Sequence, residues 1–390
     1  MVQGFKASAV IAGLKKDRTL DLALIFSEKE SASAGVFTTN KVKAAPVILS
    51  QEHLKKGKSR AIIANAGNAN ACTGKAGLTD ARLTVNRVAK ELGVRPEEVL
   101  VASTGVIGQP LNMELISAAI PGLVESLSPD NIPRVAQAIM TTDSFPKIAQ
   151  FEGQAGGRSY RILGIAKGAG MIMPNMATML CFILSDVRID CDDLKGALVS
   201  SVEPTFNRIS VDGDTSTNDM VLAMANGLAG NRALSGKSYN GFREGLQYVM
   251  GELARMIVRD GEGATKVINI EVKGALHASD ALNAARTVAN SSLVKTAFYG
   301  RDPNWGRIMA ALGRAGIVMQ EEKVDIWVDD ILVVEGGLGK GADAEKRAAE
   351  IMGQAEFALA IDLHQGRYQD RVITCDLTHE YVTINANYRT

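Results

Sequence analysis

The sequence AKGAGMIMPNMATMLCFIL, residues 166–184, places a loop rich in glycine directly before a buried strand. Gly168, Gly170 and Pro174 disfavour a regular helix or strand in its first half. Residues 179–184 are apolar without interruption, which is typical of a strand buried on both faces. A single hydroxyl, that of Thr178, therefore stands where the loop becomes a strand.

The segments around this stretch indicate the fold class. Residues 147–168 predict a β-hairpin that turns at Gly156-Gly157, and a second hairpin is predicted around Asp329-Asp330. Apolar residues recur at helical spacing over about 240–259, and the strand TKVINIEVKG follows at 265–274. Hairpins mixed with helix–strand alternation favour an α+β fold with mixed sheets over a doubly wound fold.

Further elements follow from local patterns. We predict a helix over 79–92 with Thr79 as its N-cap, and two more helices near 113–127 and 132–140. Strands are also predicted for the runs LDLALIF at 20–26, AAPVILS at 44–50, SRAIIANAG at 59–67, EEVLVAS at 97–103 and the closing YVTINANY at 381–388.

Composition excludes several classes of function. The 390 residues are 46% hydrophobic and carry 43 acidic and 43 basic side chains, so the balanced charge disfavours a nucleic-acid or membrane-surface binder. No apolar run approaches the roughly 20 residues of a membrane helix. Four scattered cysteines and four unpaired histidines predict neither disulfides nor a metal site, which fits a cytoplasmic protein with a small-molecule partner.

Thr178 allows two interpretations. A threonine hydroxyl becomes an effective nucleophile when the residue is an N-terminus, because its own α-amine then accepts the proton. In that case the strained loop presents the Ala177–Thr178 peptide bond, and the hydroxyl attacks the preceding carbonyl so that the chain cuts itself. Alternatively, Thr178 is simply a β-branched residue that begins a strand.

The stretch AKGAGMIMPNMATML, residues 166–180, resembles the processing motif of the ornithine acetyltransferase (glutamate N-acetyltransferase) family, which cleaves itself before a threonine. Other segments also resemble this family. They are STGVIG at 103–108, MTTD at 140–143, DTSTND at 214–219, DGEGATK at 260–266, DPNWGR at 302–307 and NANYRT at 385–390. The resemblance implies mixed β-sheets packed in layers and flanked by helices, similar to the ornithine acetyltransferase and DmpA-aminopeptidase fold.

The resemblance also implies an activity. Self-cleavage would give an α chain of residues 1–177 and a β chain of residues 178–390, assembled as an α2β2 heterotetramer. Thr178 would take acetyl from N2-acetylornithine and pass it to glutamate in a ping-pong cycle. Acetyl-CoA is an alternative donor on which the sequence is silent, and no metal or bound cofactor is implied.

Site residues follow by position from the same family. Thr104 and Gly105 match its oxyanion-hole pair, and the substrate-binding positions are Thr141, Lys167, Thr178, Glu262, Asn385 and Thr390. Lys167 is expected in a loop with little to shield it. Apart from the resemblance, most of these residues also fit ordinary turns or surface positions. Ser144 is a departure, since the family more often has threonine there.

The sequence also allows two other functions. An N-terminal-nucleophile aminopeptidase would use the same self-cleaving architecture, and a non-catalytic metabolite-binding protein would stay in one piece. GGLGKGAD at 336–343 fails the phosphate-loop pattern because Gly341 replaces the required Ser or Thr. The aspartates of VDGDTSTND lack EF-hand spacing and are typical of turns.

Overall fold

The computed structural model of the chain describes residues 2–173 and 179–387. These residues form two compact units: the first contains 2–173, 179–207 and 214–257, and the second contains 208–213 and 258–387. Each unit is built on its own β-sheet. Among the described residues, no helix is long and apolar enough to cross a membrane.

The elements of the described residues are named in chain order. The strands are β1 (Phe5–Val10), β2 (Leu22–Phe37), β3 (Lys58–Asn68), β4 (Val99–Val106), β5 (Lys147–Ala155), β6 (Arg158–Lys167), β7 (Leu180–Ser185), β8 (Ile209–Ser210), β9 (Met220–Ala225), β10 (Val267–Ala275), β11 (Asp325–Val328), β12 (Ile331–Glu335), β13 (Leu338–Gly339), β14 (Glu356–Asp362) and β15 (Tyr368–Cys375). The helices are α1 (Ala45–His53), α2 (Gly74–Leu92), α3 (Met113–Glu125), α4 (Ile132–Ala138), α5 (Cys191–Val202), α6 (Gly236–Arg259), α7 (Ala278–Ala289), α8 (Ser292–Gly300), α9 (Trp305–Gly313), α10 (Ala342–Ile351) and α11 (His379–Asn387).

The first unit contains a mixed sheet in the order β4-β3-β2-β9-β7-β6-β5, with β1 also paired to β2. The β3–β4 and β7–β9 pairs are parallel. The long strand β2 pairs with β3 mainly through its first half and with β9 through its second half, and its pairing with β3 shifts register between Phe26 and Ser31. Irregular pairing of this kind bends a strand. One core cluster accordingly contains Ile62 and Leu100 together with Ile165 and Phe182.

Helices cover both faces of this sheet. Apolar residues of α2 and α3 pack against one face of β2, β3 and β4, and α4 packs against the other face beside β1. Leu253 and Val249 of α6 lie over Gly164 of β6, where a larger side chain would clash with them. The mixed sheet flanked by helices is therefore confirmed, as is the predicted β5–β6 hairpin.

The second unit contains a smaller mixed sheet in the order β13-β12-β11-β14-β10-β15-β8. Helix α7 packs on β10 and β15, and α10 packs on β12. The apolar residues of these elements form one core, with Phe298 and Phe357 in edge-to-face contact at a centroid distance of 5.5 Å. The hairpin of β11 and β12 turns at Asp329-Asp330 as predicted.

Three local predictions were wrong. The run AAPVILS forms helix α1, whose first turn accommodates Pro46 because a proline there needs no N–H partner. Helix α2 begins at Gly74 and not at Thr79, despite the two glycines in its first turn. Residues 381–387 of the closing run belong to helix α11, where Thr378 accepts a hydrogen bond from the backbone N–H of Tyr381 and so caps the first turn.

Candidate functional site

Three of the predicted site residues meet in the first unit. The Nζ of Lys167 donates to Thr141 Oγ1 at 2.7 Å and to Thr104 Oγ1 at 3.3 Å. Lys167 is the last residue of β6, where it pairs with Leu180, and only 9% of it is exposed. The expectation of an unshielded loop lysine was wrong, because the residue ends a central strand. A buried ammonium therefore links two hydroxyls from different elements.

The bend of the first sheet brings these residues together. Thr104 lies on β4, two residues after Ala102, whose side chain belongs to the shared core cluster. Lys167 lies two residues after Ile165 of the same cluster. Since side chains alternate along a strand, both site residues project from the face that holds this core. Thr104 and Lys167 therefore lie at the polar end of this core.

Asp143 anchors the cluster, although the sequence analysis quoted it only within the MTTD motif. Its carboxylate accepts from the backbone N–H of Thr141 at 3.0 Å and of Gly168 at 2.6 Å, and from Lys147 Nζ at 2.7 Å. Burial alone would raise the pKa of Asp143, but the charges of Lys167 and Lys147 outweigh it and lower the pKa to about 2. The group is therefore a buried anion.

Gly105 has a conformation that only glycine supports easily. Its φ is +129°, and a Cβ added there would lie 2.3 Å from the backbone carbon of Gly67. The parallel pairing of β3 and β4 shifts register at this point, with Asn68 opposite both Thr104 and Val106. The Thr104-Gly105 segment near the end of β4 is thus fixed by close approach of two backbones.

The side-chain amides of Asn218 and Asn65 support the same end of β4, and the sequence did not predict this network. Asn218 Nδ2 donates to the carbonyl oxygens of Ala69 at 2.5 Å and Ser103 at 2.9 Å. The Ser103 hydroxyl donates to Asn65 Oδ1 at 2.6 Å, and Asn65 Nδ2 donates to Asn68 O at 2.9 Å. These buried contacts hold the residue before Thr104. The only sequence signal was the polar DTSTND motif that contains Asn218.

The segment 215–220 contacts the described chain on both sides of residues 174–178. Thr215 forms a β-bridge with Ile172 and its hydroxyl donates to Met173 O at 3.4 Å. The backbone N–H of Met220 donates to Met179 O at 3.0 Å. The DTSTND motif and the following Met220 therefore hold the two described ends that flank the predicted cleavage position.

Asp219, in the same segment, has an unusual carboxyl group. It is 2% exposed, and its Oδ2 has no hydrogen-bond partner among the described residues. Burial raises the pKa of Asp219 well above its usual value, although hydrogen bonds from Ser216 and the charge of Lys167 oppose this. Burial thus favours the protonated, neutral form of this carboxyl group.

Glu262 and Asn385 meet in the second unit. Asn385 Nδ2 donates to Glu262 Oε2 at 2.8 Å, across 123 residues of sequence. Gly263, the next residue, has a φ of +70°, and a Cβ there would lie 2.7 Å from the backbone nitrogen of Tyr381. The DGEG turn thus packs directly on the start of α11, which carries Asn385.

Three predicted site residues, Ala177, Thr178 and Thr390, lie outside the described residues. Within the described ranges 2–173 and 179–387, no group of three or more His, Cys, Asp or Glu side chains is arranged to hold a metal ion. The chemistry that the described groups support is the binding of an anion at Lys167 and hydrogen bonding by the Thr104 hydroxyl.

Comparison with known proteins extends over nearly the whole chain. Residues 6–390 match the ArgJ family. The arginine biosynthesis bifunctional protein ArgJ of Geobacter sulfurreducens is 51% identical over 391 residues, with 100% of both chains covered. The glutamate N-acetyltransferase of Methanocaldococcus jannaschii is 46% identical over 400 residues, covering 100% of this chain and 97% of that relative.

A solved structure adds a comparison of folds. The crystal structure of the arginine biosynthesis bifunctional protein ArgJ of Bacillus halodurans aligns with a TM-score of 0.51 at 42% identity. The alignment covers 98% of that chain but 53% of the present one.

Proposed function

The chain belongs to the ArgJ family, and from this membership we propose that it is a self-cleaving glutamate N-acetyltransferase of arginine biosynthesis. It moves acetyl from N2-acetyl-L-ornithine to L-glutamate through an acetyl-threonine intermediate on Thr178. The two full-length relatives carry the names of this activity and of this pathway. Acetyl-CoA is a second acetyl donor in this proposal, because the first relative is named bifunctional.

One contact carries the mechanistic part of the proposal, namely that between Lys167 Nζ and Thr104 Oγ1. An ammonium group only donates hydrogen bonds, so the Thr104 oxygen accepts, and its own proton must point to another acceptor. A hydroxyl proton held in this way suits a developing oxyanion, which is stabilised by donors that are already oriented. Thr104 and the adjacent backbone at Gly105 are therefore proposed as the oxyanion hole.

The same oxyanion hole also stabilises the intermediate of self-cleavage. The Thr178 hydroxyl attacks the Ala177 carbonyl, the C–N bond breaks as the nitrogen takes the hydroxyl proton, and water hydrolyses the resulting ester. Residues 1–177 and 178–390 then form separate chains. Two observations support this division. The segment 215–220 contacts Met173 and Met179, which lie before and after the proposed cleavage position. The chain of the solved relative spans little more than half of the present chain.

In the acetyl-transfer cycle the new α-amine of Thr178 is the base. It removes the hydroxyl proton as Thr178 attacks the acetyl carbonyl, and it returns the proton to the leaving amine of ornithine. Glutamate then enters, and its amine attacks the acetyl ester. Both half-reactions pass through an oxyanion at the same position, which explains why one Thr104-Gly105 turn is sufficient.

Substrate binding is divided between opposite charges. Lys167 binds the α-carboxylate that ornithine and glutamate share, and Thr141 orients it by a hydrogen bond. Glu262, held by Asn385, binds the side-chain ammonium of the ornithine substrate. Thr390 is proposed as a further substrate contact, which makes the chain end part of the site. The enzyme is further proposed to be a cytoplasmic α2β2 heterotetramer that uses no metal or bound cofactor.

Intact-mass measurement tests this function. The purified protein, without a C-terminal tag, is weighed before and after brief incubation with N2-acetylornithine, beside the Thr178→Ala variant. We expect two fragments divided between Ala177 and Thr178, with one acetyl group added to the fragment that begins at Thr178. The variant should stay whole. An uncut wild-type chain refutes the proposal, and cleavage without acetylation favours an aminopeptidase instead.

A further inference from the structure

Two buried lysines share one buried carboxylate beside the proposed substrate site. The side chains of Lys147 and Asp143 are both 0% exposed, and that of Lys167 is 11% exposed. Lys147 is the first residue of β5 and pairs with Ala166, the neighbour of Lys167. Burying an ionised side chain costs free energy unless it is paired. A second buried lysine beside a single carboxylate therefore calls for an explanation.

The two lysines contact Asp143 very differently. Lys147 Nζ lies 2.7 Å from Asp143 Oδ1, which is a hydrogen-bonded ion pair. Lys167 Nζ lies 3.9 Å from Oδ2, beyond hydrogen-bond distance, and donates instead to the hydroxyls of Thr141 and Thr104. Lys147 therefore forms the close ion pair with Asp143, whereas the ammonium group of Lys167 donates to the two hydroxyls.

The charges of the cluster do not cancel. Asp143 carries one negative charge and each lysine one positive charge, so the three side chains together have a net charge of plus one. The close pair of Lys147 and Asp143 accounts for one charge of each sign. The partners to which Lys167 donates are neutral hydroxyls. Among residues 2–173 and 179–387, no protein group at hydrogen-bond distance cancels the positive charge that an anionic ligand meets at Lys167.

We propose that Lys147 is a positioning and specificity-determining residue, which holds Asp143 so that the charge of Lys167 selects substrates with a carboxylate. The inference rests on the proposed function, in which Lys167 binds the substrate α-carboxylate. Without Lys147, Asp143 would pair with Lys167 alone. The ammonium would then be drawn from Thr104 toward Asp143, and the cluster would become neutral.

The test compares a substrate with and without the carboxylate. N2-acetyl-L-ornithine and its carboxamide, N2-acetyl-L-ornithinamide, are assayed as acetyl donors, and the ratio of their kcat/KM values is the readout. We expect the wild type to prefer the acid by roughly 100-fold, as a hydrogen-bonded charge pair warrants. Lys147→Met should reduce this ratio roughly tenfold by raising KM for the acid, while any loss of kcat that follows from the displaced Lys167–Thr104 contact should be shared by the acid and the amide.

A double variant separates charge from structural damage. Asp143→Asn with Lys147→Met removes one charge of each sign and restores the net charge of plus one. If the role of Lys147 is electrostatic, the double variant recovers much of the acid preference that the single variant lost. If Lys147 only supports the fold, the double variant does no better than the single one, and the inference is overturned.

Two further variants keep the test decisive. Lys295→Met removes a buried lysine, 3% exposed, from the second unit and should leave the ratio unchanged. Asp143→Asn alone keeps both lysines, so the ratio should stay the same or rise, and this result is informative even if Lys147→Met does not fold. A fall in the ratio for Asp143→Asn contradicts the inference.

Failure of the proposed function would be visible separately. Dissociation constants of the acid and the amide, measured by calorimetry on the same proteins, need no turnover. If the wild type prefers the acid in binding but transfers no acetyl group, the function is wrong and the role of Lys147 stands. If it transfers acetyl but does not distinguish acid from amide, the role of Lys147 is wrong.

Discussion

Lys167 Nζ lies 3.3 Å from Thr104 Oγ1, although 63 positions in the sequence and four intervening strands in the sheet order separate the two residues. Strands β3, β2, β9 and β7 stand between β4 and β6, so a flat sheet would hold the two side chains about 24 Å apart. The contact therefore requires the sheet to curve, and the register shift in β2 is a feature that bends a strand. The proposed site is therefore a product of sheet curvature.

Thr104→Val should lower kcat and leave KM nearly unchanged. Valine keeps the shape of threonine but removes the hydroxyl proton that we assign to the oxyanion, and losing one such donor costs about 100- to 1,000-fold in rate. Steady-state kinetics with N2-acetylornithine and glutamate check this. Thr84→Val is the matched control, because Thr84 is also buried and its hydroxyl contacts only helix groups, Asp80 O of α2 and Met113 Sδ of α3, among the described residues. Equal loss in both variants would argue against the assignment.

Gly105→Ala should prevent stable folding or lower the melting temperature far more than Gly108→Ala. Both glycines have positive φ, +129° and +78°, so both substitutions strain the backbone by about 1–2 kcal/mol. Only at Gly105 does the new Cβ also collide with the backbone of Gly67. Thermal unfolding of the two variants measures the difference. Similar melting temperatures would show that the β3–β4 approach is looser than described.

Asn218→Ala should reduce turnover as well as stability. Its side chain bridges the carbonyls of Ala69 and Ser103, so its loss frees the turn that presents Thr104. Asn231→Ala is the control, since Asn231 is equally buried and bridges the carbonyls of Arg188 and Arg232. Each change should cost about 1–3 kcal/mol of unfolding free energy. If kcat falls equally in both, the network has no special link to the site.

Asp143→Asn and Asp219→Asn should affect stability in opposite directions at neutral pH. The pKa of Asp143 is lowered to about 2 in the folded state, so its contribution is present above pH 3.8 and is lost as the pH falls toward 2. The pKa of Asp219 is raised, so its contribution is present below pH 3.8 and is lost as the pH rises.

Urea unfolding between pH 2 and pH 8 measures both effects. Asp143→Asn should destabilise the protein at pH 7 and lose this effect in acid. Asp219→Asn should stabilise it at pH 7, because asparagine cannot ionise in the unfolded state, and the gain should disappear near pH 3.5. A stabilising effect of Asp143→Asn at pH 7, or a destabilising one for Asp219→Asn, would mean that the charge state assigned to that carboxyl is wrong.

The sequence by itself determined the fold class, the main hairpins and the family. These follow from local signals: apolar periodicity, glycine turns such as Gly156-Gly157, and motifs whose residues are contiguous. The motifs also indicated Thr104, Lys167 and Glu262, which remain proposed site residues. Errors fell where local signals compete, as in α1 and α11, whose short apolar or β-branched runs also suit a strand until packing selects the helix.

Only the tertiary structure decided how the site residues are paired and charged. The contact of Lys167 with Thr104 depends on the curvature of the first sheet, and that curvature depends on which strands pair, which no local pattern records. Asp143, Lys147 and Asp219 likewise look like ordinary charged residues in the sequence. Burial and neighbouring charge give them their protonation states, and both depend on distances that exist only after the chain has folded.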